Sequence, residues 1–287
     1  MVLAVDLGGT KTAIALVDEH GAVHRRWGLP AARTLEATVS QVAEAAAEGG
    51  GPGDAVGVIV PGIYNPAAGR AWCPNLWGRI EVPLRQALEA ALGVDVFIDS
   101  DRAGSVLAEA WLGAARGLAD VLFVAIGTGI GIGILSGGRV VRGAGGVAGA
   151  AGWFALTTEW RDAYAEVGCW EAEAAGPAVA RHAGLPDAAA VVAAARAGDS
   201  GALAALDRAA RFTAMGVANL ISAFDPEAVV LGGGFLVGAG DLLLDRIRAE
   251  VPRWAQPIAA SRCRIELTRL GADAGLLGAA RLALERT

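Results

Sequence analysis

The stretch Asp6-Leu7-Gly8-Gly9-Thr10-Lys11-Thr12 decides the fold of the first part of the chain. Apolar runs precede and follow it, at residues 2–5 and 13–17. This pattern predicts two strands joined by a tight Gly-Gly turn. The turn offers backbone N–H groups, threonine hydroxyls and the ammonium group of Lys11, the only lysine in the chain, and such groups together bind a phosphate. An ordinary Gly-Gly hairpin is the alternative interpretation.

Asp6 stands at the end of the first predicted strand, directly before this turn. Its carboxylate is placed to hold a magnesium ion through a water molecule, because a hard cation prefers oxygen ligands. The sequence thus predicts one site that combines a phosphate with a metal ion.

Two further glycine-rich turns follow apolar strands. Residues Gly127, Thr128 and Gly129 come after the run 121–126 and lead into another strand, so the N-terminal layout is repeated. The repeat predicts two related lobes that face one nucleotide. The cluster Gly232, Gly233 and Gly234 follows the strand 228–230 and would let the backbone approach an adenine or ribose closely. Glycines also serve bulges and close packing, so each turn alone is weak evidence.

Two common nucleotide motifs do not fit these turns. No Gly-Lys-Ser/Thr follows a four-residue spacer, as a Walker motif requires. The first turn opens a strand rather than a helix, which fits poorly with a dinucleotide-binding fold.

Strands and helices alternate along the chain. Strands are predicted at 55–60 and 94–98, and helical periodicity predicts helices over 35–48, 103–112, 178–183, 188–197, 203–223, 241–251 and 274–285. This alternation predicts an α/β sheet with flanking helices.

Bulk composition indicates a globular protein of 287 residues with 54% apolar content. The net charge of −6 argues against a nucleic-acid surface. The odd, sparse set Cys73, Cys169 and Cys263 fits a reducing cytoplasm rather than a disulfide framework. No leader precedes the first strand and no apolar run reaches membrane-spanning length, so we expect a cytoplasmic protein without a membrane partner.

Asp99 and Asp101 are neighbouring carboxylates, and either could act as a general base. Strand alternation points both the same way, so periodicity alone does not choose between them. Asp101 begins the helix 103–112, where the macrodipole stabilises its ionised form. The alternative role of Asp101 is a helix N-cap.

Eight segments, in this order, resemble the ROK family of sugar kinases (repressors, uncharacterised reading frames and kinases), within the actin-like ATPase superfamily. They are the turn from Asp6, Pro74-Asn75, Asp101, Gly127–Gly131, Arg142-Gly143-Ala144, Gly168-Cys169-Trp170-Glu171, Leu231–Gly234 and Asp273–Ala279. The resemblance implies a two-lobed actin-like (ribonuclease-H-like) ATPase fold with a cleft between the lobes. It implies a small lobe, 1–102 plus 275–287, with the phosphate turn and the catalytic Asp. The large lobe, 103–274, would carry the second phosphate turn, the adenosine site and the dimerisation surface.

The same resemblance implies roles for individual residues. Asp101 becomes the catalytic base, preceded by Ser100 where the family usually has an asparagine that contacts sugar. Asn75 matches a sugar-contacting amide, although it could equally cap its own turn. Glu171 matches a second sugar carboxylate, with a favourable first-turn acid as the alternative.

The sequence departs from the family in one region. Ala150 and Trp153 stand where the family has a glutamate and a histidine that touch the sugar. Of the cysteines that hold the family's structural zinc only Cys169 remains, with Asp162 and Tyr164 at the other two positions. Zinc needs four ligands, and His20, His24 and His182 lie elsewhere in sequence, so no structural zinc is expected. A hydrophobic patch of Trp153, Phe154, Trp160 and Trp170 is the hypothesis for what holds the segment instead.

The resemblance therefore implies an ATP- and magnesium-dependent kinase acting on a primary hydroxyl of a hexose or hexose-like substrate, as a homodimer. Because Ala150 and Trp153 replace the family's sugar-contacting glutamate and histidine, two alternatives stay open. One is a kinase of a modified ring, such as the amino-sugar kanosamine or a seven-carbon cyclitol of natural-product biosynthesis. The other is a non-catalytic sugar-binding ROK protein. A ROK repressor would need a winged-helix module before the first strand, which begins at Val2. Donors other than ATP, such as polyphosphate, also stay open.

Overall fold

A computed structural model describes residues 1–286. The chain divides into two compact units. The first comprises Met1–Leu112, Arg142–Ala148 and Ala272 to the end of the described chain; the second comprises Gly113–Val141 and Gly149–Gly271. This division differs from the predicted one, because the helix after Ser100 and the segment Arg142–Ala148 go with the first unit. Residue 287 of the predicted small lobe lies outside the described residues.

The first unit is built on a five-stranded sheet. Its strands are β1 (Val2–Leu7), β2 (Lys11–Val17), β3 (Val23–Pro30), β4 (Val56–Val60) and β8 (Val96–Ser100), in the order β3-β2-β1-β4-β8. Neighbours are antiparallel from β3 to β1, whereas β4 and β8 continue the sheet in parallel. The helices are α1 (Leu35–Glu48), α2 (Pro74–Trp77), α3 (Leu84–Leu92), α4 (Asp101–Trp111) and α12 (Ala274–Glu285). A small second sheet contains β5 (Ile63–Asn65), β6 (Arg70–Trp72) and β7 (Glu81–Val82).

The second unit repeats this sheet. Its strands are β9 (Val121–Ile126), β10 (Ile130–Ser136), β11 (Arg139–Val140), β12 (Ala228–Gly232) and β13 (Arg264–Leu267), in the order β11-β10-β9-β12-β13. Three antiparallel strands are again extended by two parallel ones. Its helices are α5 (Ala163–Val167), α6 (Cys169–Ala174), α7 (Gly176–Ala183), α8 (Ala188–Arg196), α9 (Ser200–Phe224), α10 (Gly234–Glu250) and α11 (Pro257–Arg262). The two sheets thus have the same order and strand directions, in agreement with the repeat expected from the two glycine turns.

The apolar runs of the sequence become buried strands. Leu3 and Val5 of β1 and Val56 and Val58 of β4 are fully inaccessible to solvent, since both faces of these central strands are covered. Among residues 1–286 no single helix is long and apolar enough to cross a membrane; α8 and α9 together have the length and composition, but they meet at an angle of 117°.

Two element boundaries differ from the sequence predictions in ways that matter for the site. Helix α10 begins at Gly234, seven residues before the predicted start at 241, because Gly234, Gly238 and Gly240 obscure its apolar period. Asp99 lies in β8, whereas Asp101 is already the first residue of α4. Strand alternation therefore does not apply to the pair, and that part of the sequence argument is wrong.

Helices α4 and α12 cross at two glycines, and this contact keeps α4 in the first unit. A Cβ atom on Gly278 would overlap the carbonyl oxygen of Gly104. We expect Gly278→Ala to lower the free energy of unfolding by about 1–3 kcal/mol, because an atom is added where none fits. Gly238→Ala in α10 is the matched control, since nothing lies within 4 Å of its Cβ position, and it should stabilise by up to about 1 kcal/mol. Equal stability of the two variants in urea denaturation would contradict the helix contact.

Candidate active site

The first glycine turn closes as a tight hairpin. The N–H of Gly8 donates to the carbonyl oxygen of Lys11 at 2.9 Å, and a Cβ atom on Gly8 would lie 2.8 Å from the same oxygen, so the turn requires glycine there. Thr10 and Lys11 are exposed at the tip, while Thr12 is buried in β2. The tip therefore presents backbone amides, one hydroxyl and one ammonium group, a suitable set for an anion.

Asp6, at the end of β1, packs against the first turn of α12. A Cβ atom on Gly275 would overlap its carboxylate, which explains the glycine of the Asp273-Ala274-Gly275 segment. Burial and the nearby charge of Asp101 raise the pKa of Asp6 to about 6, while Lys11 opposes the shift. Asp101 and Lys11 are thus both close enough to Asp6 to affect it electrostatically.

This arrangement fits a magnesium ion. Two carboxylates that disfavour each other's charge are relieved by a divalent cation, and Mg²⁺ is held by few protein carboxylates together with water and substrate phosphates. No group of three or more His, Cys, Asp or Glu ligands exists among residues 1–286. Asp6 would thus hold the ion with the help of water and phosphate oxygens.

Asp99 and Asp101 have different surroundings. The Asp99 side chain is 6% exposed, and its Oδ2 accepts a hydrogen bond from Arg142 Nε at 2.6 Å. Its Oδ1 accepts from the N–H of Ser100 at 2.7 Å. Asp101 is solvent-exposed, and its Oδ1 accepts a hydrogen bond from the N–H of Arg102 at 2.8 Å. The carboxylate of Asp99 is therefore occupied by its ion pair with Arg142, whereas the carboxylate of Asp101 is available to accept a proton.

Ser100 caps α4, so Asp101 does not. Ser100 Oγ accepts a hydrogen bond from the N–H of Ala103 at 3.3 Å, which leaves its hydroxyl proton free for a substrate. Although Asp101 is solvent-accessible, the protein around it removes enough hydration to raise its pKa, against the opposing charge of Arg102. A raised pKa makes a carboxylate a stronger base.

Asn75 lies in the short helix α2, where its carbonyl oxygen accepts from Arg33 at 2.6 Å. Its side chain is exposed and makes no hydrogen bond with any described residue. The alternative that Asn75 caps its own turn is not seen, because Cys73 precedes the helix and no side chain caps it. Its amide is thus available to a ligand.

In the second unit, Glu171 holds the second glycine turn. Its Oε2 accepts a hydrogen bond from the N–H of Ile130 at 2.7 Å. Cβ atoms on Gly129 and Gly152 would lie 2.8 Å and 3.0 Å from this oxygen. Burial raises the pKa of Glu171, and the bond from Ile130 opposes the shift. The carboxylate therefore lies between the turn and the segment that contains Ala150 and Trp153.

A cavity of about 930 Å³ opens beside the same turn. Of the predicted nucleotide residues, Gly127, Thr128 and Gly234 line it, and further lining comes from residues that sequence reasoning missed: Gly176, Pro177, Arg181, Asp187, Arg196 and Phe235. The Gly-Pro pair at the start of α7 is the only local signal for this group. The volume suits a nucleoside-sized ligand.

Gly232 and Gly233 serve packing rather than this cavity. A Cβ atom on Gly232 would overlap the ring of Phe123, and one on Gly233 would lie 2.5 Å from the backbone nitrogen of Ile126. The glycines instead let β12 approach β9 closely, so only Gly234 of the third cluster reaches the cavity.

The hydrophobic patch predicted around Trp153 forms only in part. Phe154 packs on the fully buried Trp170, with ring centroids 6.1 Å apart. Trp153, which ends a short 3-10 turn after Ala150, is 58% exposed, and Trp160 is 69% exposed. The hypothesis is wrong for these two tryptophans, because their rings face solvent.

A buried carboxylate holds the segment instead. Glu173 is 1% exposed and accepts hydrogen bonds from Tyr164 at 2.5 Å and Arg208 at 2.6 Å, with Arg161 at 3.2 Å. Burial would raise the pKa of Glu173, but these partners leave it below its usual value. Tyr164, which the resemblance aligns with a zinc-ligating cysteine, thus contacts Glu173; Cys169 is buried and Asp162 is exposed.

Comparisons with known proteins agree with this architecture. The profile of the ROK family matches residues 2–286. Glucokinase of Streptomyces coelicolor is 34% identical, over 99% of this chain and 98% of its own. The crystal structure of a ROK hexokinase from Thermus thermophilus has a TM-score of 0.86 and 36% identity, with 99% and 98% coverage. A ROK family glucokinase from Streptomyces griseus, in complex with glucose and AMPPNP, has a TM-score of 0.79 and 31% identity, with 99% coverage of both chains.

These likenesses extend over nearly the whole chain and confirm the predicted actin-like ATPase fold. The family profile and the curated relative agree with the solved structures. The chain belongs to the ROK family.

Proposed function

We propose that the protein is an ATP- and magnesium-dependent kinase that phosphorylates a primary hydroxyl of a hexose-like ring, with Asp101 as general base. The observation that carries the proposal is the contrast between two neighbouring carboxylates: Asp99 is buried and tied to Arg142 at 2.6 Å, whereas Asp101 is solvent-accessible and makes no ion pair with any described residue. Cytoplasmic location, a homodimeric state and the lack of a nucleic-acid partner are part of the same proposal.

The first unit supplies the groups for phosphoryl transfer. The turn amides, Thr10 and Lys11 bind phosphate oxygens. Asp6 would hold a magnesium ion, which would supply positive charge beside the phosphates. The substrate oxygen attacks the γ-phosphorus while its proton passes to Asp101. The bond to the bridging β–γ oxygen breaks, and ADP leaves with that electron pair.

The second unit supplies recognition. The cavity beside Gly127 and Thr128 takes the nucleoside part of ATP, and Glu171 holds the turn in place through Ile130. In the first unit the free amide of Asn75 and the hydroxyl of Ser100 contact sugar hydroxyls. This assignment follows the resemblance residue by residue and is supported by the availability of these groups.

A second candidate, the kinase of a modified ring, is favoured by Ala150 and Trp153. Loss of a charged hydrogen-bonding partner costs about 1.5–3 kcal/mol per bond, so an unmodified glucose would be a poor substrate here. We expect ATP-coupled turnover to be weak with glucose and strong with one other member of a panel of mannose, N-acetylglucosamine, kanosamine, fructose and a seven-carbon cyclitol.

The double variant Ala150→Glu, Trp153→His tests whether the side chains at these two positions cause the weak turnover of glucose. Restoring both side chains should raise kcat/KM for glucose by roughly 10–100-fold, the effect of one regained charged hydrogen bond or more. Strong glucose turnover by the unaltered protein would show that the two positions are tolerated in an ordinary glucokinase. The non-catalytic alternative predicts no turnover with any member of the panel.

A further inference from the structure

The nucleoside cavity of the second unit runs from the second glycine turn along two helices, α8 and α10. A Cβ atom on Gly176 would lie 3.0 Å from the carbonyl oxygen of Gly127 and 3.4 Å from the Cβ atom of Ala188, which begins α8. A Cβ atom on Gly127 would lie 3.5 Å from the backbone nitrogen of Gly234, which begins α10. Both helices therefore start beside the turn.

Arg196 lies at the far end of this cavity. It is the last residue of α8 and lines the cavity. Because an α-helix rises about 1.5 Å per residue, Arg196 is about 12 Å along the axis of α8 from Ala188. A nucleotide whose phosphates lie at the glycine turn would thus extend along α8 and place its base near Arg196.

The guanidinium group of Arg196 is held by α10. Its Nε donates to Asp241 Oδ2 at 3.3 Å, and its Nη2 donates to Asp241 Oδ1 at 2.8 Å and to the carbonyl oxygen of Gly238 at 3.0 Å. The N–H groups of a guanidinium point outward in its own plane. These three bonds therefore fix the plane of the group and do not use its two flat faces.

The other charged residues of the cavity lining are Arg181 and Asp187. Nη2 of Arg181 donates to the carbonyl oxygen of Ala172 at 2.7 Å, a single bond about which the group can turn. The carboxylate of Asp187 accepts a hydrogen bond from the N–H of Ala190 at 2.8 Å and so caps α8. Of the two guanidinium groups that line the cavity, that of Arg196 has the more firmly fixed plane.

We propose that the guanidinium face of Arg196, held flat by Asp241, is the platform on which the purine base of the phosphate donor stacks. Guanidinium groups stack on aromatic rings, and a purine offers a larger ring surface than a pyrimidine. Val192 and Phe235, which are 6% and 7% exposed, supply apolar contacts in the same cavity. The inference rests on the proposed function and narrows its donor to a purine nucleotide, since inorganic polyphosphate has no base to stack.

The test compares a donor that carries a base with one that has none. Titration calorimetry measures the affinity of a non-hydrolysable ATP analogue and of inorganic tripolyphosphate, for the unaltered protein and for Arg196→Leu. We expect Arg196→Leu to weaken binding of the ATP analogue by roughly tenfold, the usual effect of losing one stacking partner of a base. Binding of tripolyphosphate should stay unchanged, and the preference for ATP over CTP in kcat/KM should decrease.

Two further variants separate stacking from charge. Arg196→Lys keeps the positive charge but loses the flat group, so it should weaken binding of the ATP analogue nearly as much as Arg196→Leu. Asp241→Ala keeps the guanidinium but removes the carboxylate that holds its plane, so it should cause a smaller loss for the ATP analogue and none for tripolyphosphate.

Arg262→Leu is the matched control. Arg262 pairs with Asp225 at 3.0 Å, and these side chains are 63% and 61% exposed, compared with 51% and 58% for Arg196 and Asp241. The control thus breaks a similar exposed ion pair of the second unit, at a residue that does not line the cavity. It should leave the affinities for both ligands unchanged.

The outcomes separate this inference from the proposed function. Full affinity for the ATP analogue in Arg196→Leu or Arg196→Lys, or an equal loss for both ligands, would overturn the platform, even if the protein is an active kinase. An unchanged affinity in Asp241→Ala would overturn the role of Asp241. Base-dependent binding that Arg196→Leu weakens, without phosphoryl transfer to any sugar, would support the platform and reject the kinase.

Discussion

Asp101→Asn is expected to lower kcat by about 10²–10⁴-fold, the usual cost of losing a general base. The amide has nearly the shape of the carboxylate but cannot accept the proton of the acceptor hydroxyl. ATP binding should be retained, because the phosphate turn and the nucleoside cavity are unchanged. Steady-state turnover and titration of a non-hydrolysable ATP analogue measure the two properties separately.

Asp99→Asn is the matched control for this change. It removes a carboxylate from the adjacent strand but leaves Asp101 in place. Asp99 is buried and pairs with Arg142, and asparagine keeps an oxygen that can accept this hydrogen bond, so kcat should fall much less than in Asp101→Asn. An Asp101→Asn enzyme with nearly full turnover, or an Asp99→Asn enzyme that is stable but inactive, would reverse the assignment.

Asp6→Asn should abolish magnesium-dependent turnover and at the same time stabilise the protein. The pKa of Asp6 is about 6 in the folded chain against an ordinary 3.8, so the folded state holds this proton more tightly than the unfolded state. Ionisation of Asp6 therefore costs stability that grows between pH 4 and 6 and is fully present above pH 6. Removing the charge should raise the free energy of unfolding by up to about 3 kcal/mol at pH 8, because one pKa unit corresponds to roughly 1.4 kcal/mol. Near pH 4 the substitution should leave the free energy of unfolding unchanged.

Thermal unfolding at pH 8 and pH 4, with magnesium excluded, measures this difference. Asp18→Asn provides a control of opposite sign, because hydrogen bonding to His24 lowers the pKa of Asp18 to about 2. That variant should be less stable, not more, at neutral pH. A lower melting temperature of Asp6→Asn at pH 8 would contradict the electrostatic argument.

The sequence by itself determined the elements whose signals are local. The helices 35–48 and 274–285 have the predicted bounds, because firm end signals and a clear apolar period specify them. Both glycine turns lie between antiparallel strands as predicted, since a Gly-rich turn between apolar runs favours a hairpin whatever surrounds it. The repeated strand–turn–strand pattern also predicted that the two sheets would be related.

Only the tertiary structure decided which polar groups are occupied and which are free. Arg142 reaches Asp99 from 43 residues away, and Arg208 reaches Glu173 from 35 residues away. Periodicity cannot anticipate such pairs, because it reports which side of an element a residue occupies and not what lies opposite. For the same reason the sequence suggested a packed patch for Trp153 and Trp160, whereas the fold leaves both rings exposed. Local backbone preferences therefore predicted the helices, strands and turns. Contacts between residues far apart in the sequence determined which polar side chains remain available to a ligand.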